Sequence, residues 1–222
     1  MERIHLYNID CVEYMKGCED NQFDIAIVDP PYGLNFGNFN RTNKDEYGNR
    51  FKANKYHNTD WDKSIPDDEY FEQLFRVSKN QIIWGGNYFP LPPTQCFVFW
   101  YKQNPVPNFS DGELAWTSFK KPAVCFDYRY YGNLQGKSSA EKKIHPTQKP
   151  RELYDFLLDK FAQPGMKILD THLGSGSIGI ACHYFGCELY ATEINEVYYH
   201  NAMKRIKEKT AQINMFDGNQ SS

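Results

Sequence analysis

The 222-residue sequence lacks any C-x-x-C pair: Cys11, Cys18, Cys96, Cys125, Cys182 and Cys187 stand apart, without zinc-like grouping. That spacing excludes the common cysteine-based metal frameworks and fits reduced thiols in a cytoplasmic chain. No stretch approaches the roughly 20 apolar residues of a membrane span. No charged-then-apolar leader opens the sequence, so a cytoplasmic location and no membrane partner are expected. Internal repeats are missing too, and so is any excess of positive charge: 25 Lys+Arg against 28 Asp+Glu leave a net charge of −3. Taken whole, this balance argues mildly against a polyanionic partner. The mean conceals an asymmetry. Residues 120–151 hold eight basic side chains (Lys120, Lys121, Arg129, Lys137, Lys142, Lys143, Lys149, Arg151) and two acidic ones (Asp127, Glu141), a local balance of +6 against −9 elsewhere. Tyr128, Tyr130 and Tyr131 are interleaved with these charges. The segment reads either as a solvated face or as a surface for phosphate and stacked bases.

What the sequence does contain is an alternation of strand-like and helix-like runs. Continuously apolar or β-rich segments occur at residues 3–7, 25–28, 81–84, 97–100, 167–169 and 188–191. Apolar residues at helical spacing mark 67–77, 152–161 and 195–212. Such alternation predicts an α/β fold, a mainly parallel sheet with helices on both faces, and the length fits one domain over residues 1–222. Two segments break the pattern. Residues 33–63 are rich in Asn, Gly, Tyr and Lys without periodicity and predict a mobile functional loop; residues 132–144 are a shorter polar insert of the same kind. A disordered tail is expected at 217–222.

The strand at 25–28 runs into Asp29-Pro30-Pro31-Tyr32. Neither proline has an amide hydrogen, so the pair stops the sheet ladder and leaves a stiff turn just past the strand's carboxyl end, where ligands of open α/β sheets sit. A strand-capping turn explains the prolines but not Asp29 and Tyr32 together.

A second motif, residues 167–181, is a strand, a glycine turn and a helix start. Gly174, Gly176 and Gly179 satisfy G-x-G-x-x-G, and Glu193 ends the next strand. A tight turn packed for its own sake is the plainest reading, and a nicotinamide dehydrogenase is a fair rival. Three features weigh against the latter. Few residues follow Glu193, too few for a second βαβ half; Asp170 precedes the glycines, where it faces a cation better than a pyrophosphate; and a dehydrogenase leaves the prolyl turn unexplained.

Together, Asp29 to Tyr32, the "LDTHLGSGS" stretch and "HPTQKP" at 145–150 resemble the S-adenosylmethionine-dependent amino-group DNA methyltransferases, in the permuted order often called beta. The resemblance covers most of the chain. It implies a doubly wound, mainly parallel, seven-stranded Rossmann-like sheet with residues 3–7 at its edge, beyond the 188–191 strand. It implies catalysis by Asp29, Pro30, Pro31 and Tyr32, and a cofactor site of Asp10, Cys11, Asp29, His145, Thr147, Lys149, Asp170, His172, Leu173, Gly174, Ser175, Gly176, Glu193 and Ile194, with no metal. Asp10 would meet the cofactor's adenine, and His145, Thr147 and Lys149 its methionine carboxylate. His172 departs from the aromatic residue often found at its position. The implied substrate is double-stranded DNA with a flipped base, and adenine N6 is favoured over cytosine N4 because Asp29 is not serine. RNA or protein-glutamine methylation, and a non-catalytic nucleic-acid-binding subunit of the same fold, are the alternatives. Only 132–144 is free to serve as a recognition insert. Base reading therefore falls to the 33–63 loop, to a homodimer partner, or to a short recognition sequence.

Overall fold

The computed structural model describes residues 2–34, 64–103, 110–131, 134–135, 138–139 and 143–211. Strand β1 (Ile4–Tyr7) leads to helix α1 (Cys11–Lys16), and β2 (Phe23–Val28) ends at the prolyl turn. Helix α2 (Asp68–Val77), capped by the Asp67 carboxylate on the Tyr70 N–H, runs directly into β3 (Ser78–Trp84). Strands β4 (Phe97–Tyr101), β5 (Gly112–Thr117) and β6 (Val124–Asp127) follow. Three short strands come next, β7 (Tyr130–Tyr131), β8 (Leu134–Gln135) and β9 (Ser138–Ser139). The chain continues through α3 (Arg151–Phe161), β10 (Lys167–Asp170), α4 (Ser177–Phe185), β11 (Glu188–Thr192) and α5 (Glu196–Ala211).

The main sheet has the order β1-β11-β10-β2-β3-β5-β4-β6. Pairing is parallel from β1 to β3 and again between β4 and β6, and antiparallel on both sides of β5. The doubly wound, mainly parallel reading is borne out, as is the edge position of β1 beyond β11. The expected strand count is corrected from seven to eight among the described residues. Half-buried and exposed residues alternate along β6, and β5 opens with Gly112 and Glu113. Neither therefore shows the continuous apolar run that marks a strand buried on both faces. The polar 132–144 stretch is also less shapeless than expected, because β7, β8 and β9 form a small antiparallel sheet. Most of the predicted 33–63 loop and the whole 217–222 tail lie outside the described residues.

Successive residues of β2 feed opposite faces of the sheet. Ile25 and Ile27 join a core with Trp84, Trp100, Leu153, Leu157, Ile178 and Ala202, under α3, α4 and α5. Ala26 and Val28 join Met15, Tyr70, Leu74 and Val77, under α1 and α2. With both faces covered, the ends of the strands are the places left for polar chemistry. Among the described residues, no helix is long and apolar enough to cross a membrane.

Candidate active site

Four acidic residues stand at the carboxyl ends of four neighbouring strands. In sheet order, Asp10 follows β1, Glu193 follows β11, Asp170 ends β10 and Asp29 follows β2. All four strands are parallel, so these carboxylates share one edge of the sheet.

The glycine turn after β10 is tied by its own backbone. Asp170, almost fully buried, accepts from the His172 N–H at 3.0 Å, and the Leu173 N–H donates to the Thr192 carbonyl at 3.0 Å. Glu193 closes the turn: Oε2 accepts from the Gly174 N–H and Oε1 from the Asn195 N–H, each at 2.9 Å. Gly176 has φ +71°, and a Cβ there would lie 2.9 Å from Ile206 of α5, so both backbone and packing demand glycine. Ser175 and Ser177 are buried beneath the turn, held by Arg205, whose guanidinium donates to the Ser175 carbonyl at 2.9 Å and to Ser177 Oγ at 3.1 Å. Leu173 is buried in the core, whereas Ile194, just past Glu193, is 70% exposed. Asp10 Oδ1 caps α1, accepting from Val12 and Glu13 N–H, and burial beside that carboxylate pushes the Cys11 thiol up to about 12.

Burial, and after it the nearby Asp29 and Glu193 charges, push Asp170 up to about 7 against the opposing pull of the His172 amide and Lys149. Burial also raises Glu193, against its two amide bonds. His172 is neutral at pH 7, since burial drives it down to about 4; its Nδ1 lies 2.9 Å from Thr171 Oγ1, itself 2.7 Å from the Tyr70 hydroxyl. The result is surplus negative charge lining the sheet edge. A cationic ligand relieves that surplus; a pyrophosphate adds to it.

The prolyl turn is held differently, by charges from elsewhere in the chain. Tyr32 OH donates to Asp29 Oδ1 at 2.6 Å, and its ring stacks on the partly exposed Tyr88 with centroids 5.0 Å apart. At Gly85, φ is +69° and a Cβ would fall 2.2 Å from the Tyr32 ring, so this glycine is what lets the ring lie against the end of β3. Lys149 donates to Asp29 Oδ2 at 2.5 Å and stands 3.2 Å from Glu113 Oε2. The other Glu113 oxygen pairs with Lys102. Burial opposes both charges in the middle of this row. Lys149 is nonetheless held above the ordinary lysine value by Asp29 and Glu113, and Glu113 is held down to about 2 by Lys149 and Lys102.

The "HPTQKP" segment joins the two turns. Its His145 ring is what a Cβ at Gly174 would meet, at 3.5 Å, and burial lowers that imidazole to about 4. Exposed Thr147 bonds back to His145 Nδ1 at 3.1 Å. The Lys149 carbonyl accepts from Ser177 Oγ at 2.8 Å while its ammonium reaches Asp29. Lys149 thus sits with the prolyl turn, and the carboxyl ends of β10, β11 and β2 bring Asp170, the glycines, Glu193, Asp29 and Tyr32 to one side of the sheet, with His145 against Gly174. Sequence reasoning missed Glu113, Lys102 and Tyr88. The signal available was slight: Glu113 and Lys102 are opposite charges abutting apolar strand runs. Of the eight basic residues in 120–151, Lys149 is buried, Arg151 pairs with Asp155, and Lys121 lies 3.8 Å from the Phe161 ring. Lys120 and Arg129 are exposed, and Lys143 lies 4.4 Å from the Tyr130 ring centroid; Lys137 and Lys142 lie outside the described residues. No group of three metal-binding side chains occurs among the described residues.

Residues 117–204 match the family model for N6/N4 methyltransferases, described as DNA methylase. The type II methyltransferase M.HinfI of Haemophilus influenzae is 25% identical over 247 aligned positions, covering 90% of this chain and 67% of that protein. The M1.HpyAVI–SAM complex superposes with a TM-score of 0.56 at 20% identity, over 91% of this chain and 98% of that one. The cytosine-N4-specific PvuII DNA methyltransferase gives a TM-score of 0.57 at 12% identity, over 95% and 92%. These superpositions show a shared fold. In motif order, family model and fold alike, the chain resembles the amino-group DNA methyltransferases.

Proposed function

We propose that this chain transfers a methyl group from S-adenosylmethionine to an exocyclic amino group in double-stranded DNA, adenine N6 ahead of cytosine N4. The observation that carries the reading is the placement of the Asp29 turn one strand from the glycine turn, along an edge lined by Asp10, Glu193, Asp170 and Asp29. The DNA substrate is supported by the description of the family model, DNA methylase, and by the name of the PvuII DNA methyltransferase. Asp29, rather than serine, supports adenine.

The surplus negative charge and the glycine turn fit a cationic adenosine ligand. Glu193 and Asp10 would hold its adenosine part, and Asp170, His172 and His145 its sulfonium and amino-acid part. When bound, the cofactor supplies an electrophilic methyl group. The residues of the chain prepare the nucleophile. An exocyclic amine is weakly nucleophilic because its lone pair is delocalised into the ring. Accepting its N–H bonds at the Asp29 carboxylate and the Pro30 carbonyl favours a tetrahedral nitrogen and stabilises the positive charge that develops there. Because the turn is stiff and proline has no N–H, no prolyl amide competes with the amine, which shares the Asp29 carboxylate with Tyr32 OH and Lys149. Tyr32 would stack on the flipped base, and Tyr88 must then leave the ring face it covers.

Incubation with tritiated S-adenosylmethionine and duplex DNA, then digestion and nucleoside chromatography, tests the reading. Label in N6-methyladenine is expected. Label in N4-methylcytosine would move the assignment to the other base, and label in RNA or protein but not DNA would overturn it.

A further inference from the structure

Glu113 lies outside both motifs, on β5, two strands from the prolyl turn in sheet order. We infer that Glu113 is a positioning residue which, by sharing the Lys149 ammonium with Asp29, keeps Asp29 aimed at the target amine with its potential only partly cancelled. The inference rests on the methyl-transfer reading above and deepens it.

Asp29, Lys149, Glu113 and Lys102 form a continuous row of charges. The Lys149 side chain is only 5% exposed, so protein groups must satisfy its charge. Two carboxylates do so, at 2.5 Å and 3.2 Å, and they approach from different strands. In a poorly solvated site, an ammonium paired with Asp29 alone would cancel most of that carboxylate's potential. With Glu113 present the lysine still lies 2.5 Å from Oδ2, so what Glu113 relieves is the ammonium's charge and not the contact, leaving Asp29 a stronger acceptor for an amine whose nitrogen is becoming positive. Glu113 draws part of the ammonium's charge away and fixes where the lysine points. Lys102, 4.7 Å from the Trp100 ring centroid, in turn anchors Glu113 from the far side. The row alternates in sign and is neutral overall, with a carboxylate at the end that faces the reaction. The Trp84 ring, 5.3 Å from the Lys149 nitrogen, closes the row against the core. Glu113 touches neither the base nor the cofactor in this scheme, so its effect passes entirely through Lys149 and Asp29.

Such an indirect role predicts dependence on Asp29. Single-turnover methyl transfer at saturating DNA and S-adenosylmethionine is to be measured for wild type, Glu113→Gln, Asp29→Asn and the double variant. Glu113→Gln should slow transfer by about tenfold or more when Asp29 is intact, as expected for loss of an ion-pair partner in a poorly solvated site. In the Asp29→Asn background the same change should cost less than about twofold, because there is no carboxylate left to tune. Calorimetric affinity for S-adenosylmethionine should stay within about twofold throughout. A Glu113→Gln rate close to wild type would overturn the inference. So would an equal loss in both backgrounds, since a merely structural defect is indifferent to the charge at position 29. Should Glu113→Gln fail to fold, Glu113→Gln/Lys102→Gln removes one charge of each sign and carries the same cycle; recovery of the wild-type rate in it would reduce Glu113 to charge balance and overturn the proposal. A wild-type protein that methylates no DNA would instead bring down the methyl-transfer reading itself.

Discussion

The glycine turn after β10 is held through its backbone, with Asp170 and Glu193 accepting from its amides and Arg205 donating to the Ser175 carbonyl, whereas the prolyl turn after β2 is held by a row of side-chain ion pairs delivered from the ends of β4 and β5 and from just before α3. The two turns occupy adjacent strands of one sheet. Their difference in construction matches the difference in proposed task. A cofactor cradle needs a fixed backbone surface that a ligand can approach closely, which glycines and amide bonds supply. A group that must respond to developing charge needs a tunable carboxylate, and charge is tuned by other charges.

The sharpest way to break this comparison is to remove the Asp29 charge while keeping its shape. Asp29→Asn should lower single-turnover methyl transfer by ~10²–10³, the usual cost of removing a preorganised electrostatic partner. Calorimetric affinity for S-adenosylmethionine should barely change, since Asp10, the glycine turn and Glu193 are untouched. A rate within about tenfold of wild type, well inside that expected loss, would show that the aspartate at the strand end is structural.

Stability separates the turns next. Lys149→Met leaves Asp29 and Glu113 as two partly buried carboxylates without their shared cation, and urea unfolding should show a loss of about 3 kcal/mol. Ser177→Ala, which removes one hydroxyl under the glycine turn, should cost about 1 kcal/mol. Equal losses would mean that the prolyl turn does not depend on its charges.

A smaller effect belongs to the glycine turn. Because Asp170 is pushed up to about 7 in the fold, the folded protein binds a proton that the unfolded chain releases near its ordinary value of 3.8. This group's contribution to stability is therefore full below about pH 4 and is lost as pH rises through 7. A cationic cofactor has the opposite preference and binds the ionised form. Titration calorimetry should find S-adenosylmethionine binding weakened by up to about tenfold between pH 8 and pH 6. His145 and His172 should not contribute, since burial keeps both near 4. Affinity that is flat across this range would place the ligand away from Asp170.

Least of all, Lys142→Ala/Lys143→Ala should leave both turns intact and act only on DNA. The slope of log affinity against log salt should fall by about 0.9 for each phosphate that the variant no longer neutralises. No change in slope would put these lysines on a solvated face.

The amino-acid sequence by itself determined the strands whose two faces are both buried, because burial on both faces favours apolar runs such as residues 25–28 of β2 and 82–84 of β3. It also displayed both turns, since glycine and proline act on the backbone through local sterics that a linear reading detects. It did not display β5, which opens with Gly112 and Glu113, or β6, whose half-buried residues alternate with exposed ones, nor the short helix α1. Above all, it could not join Asp29 to Lys149, Glu113 and Lys102. An ion pair leaves no periodicity and no turn chemistry in the sequence. Partners from separate elements meet only when the strand order β10-β2-β3-β5-β4 brings their ends to one edge of the sheet. That order, decided by packing both faces of the sheet at once, is what sets the Lys149 ammonium between the carboxylates of Asp29 and Glu113.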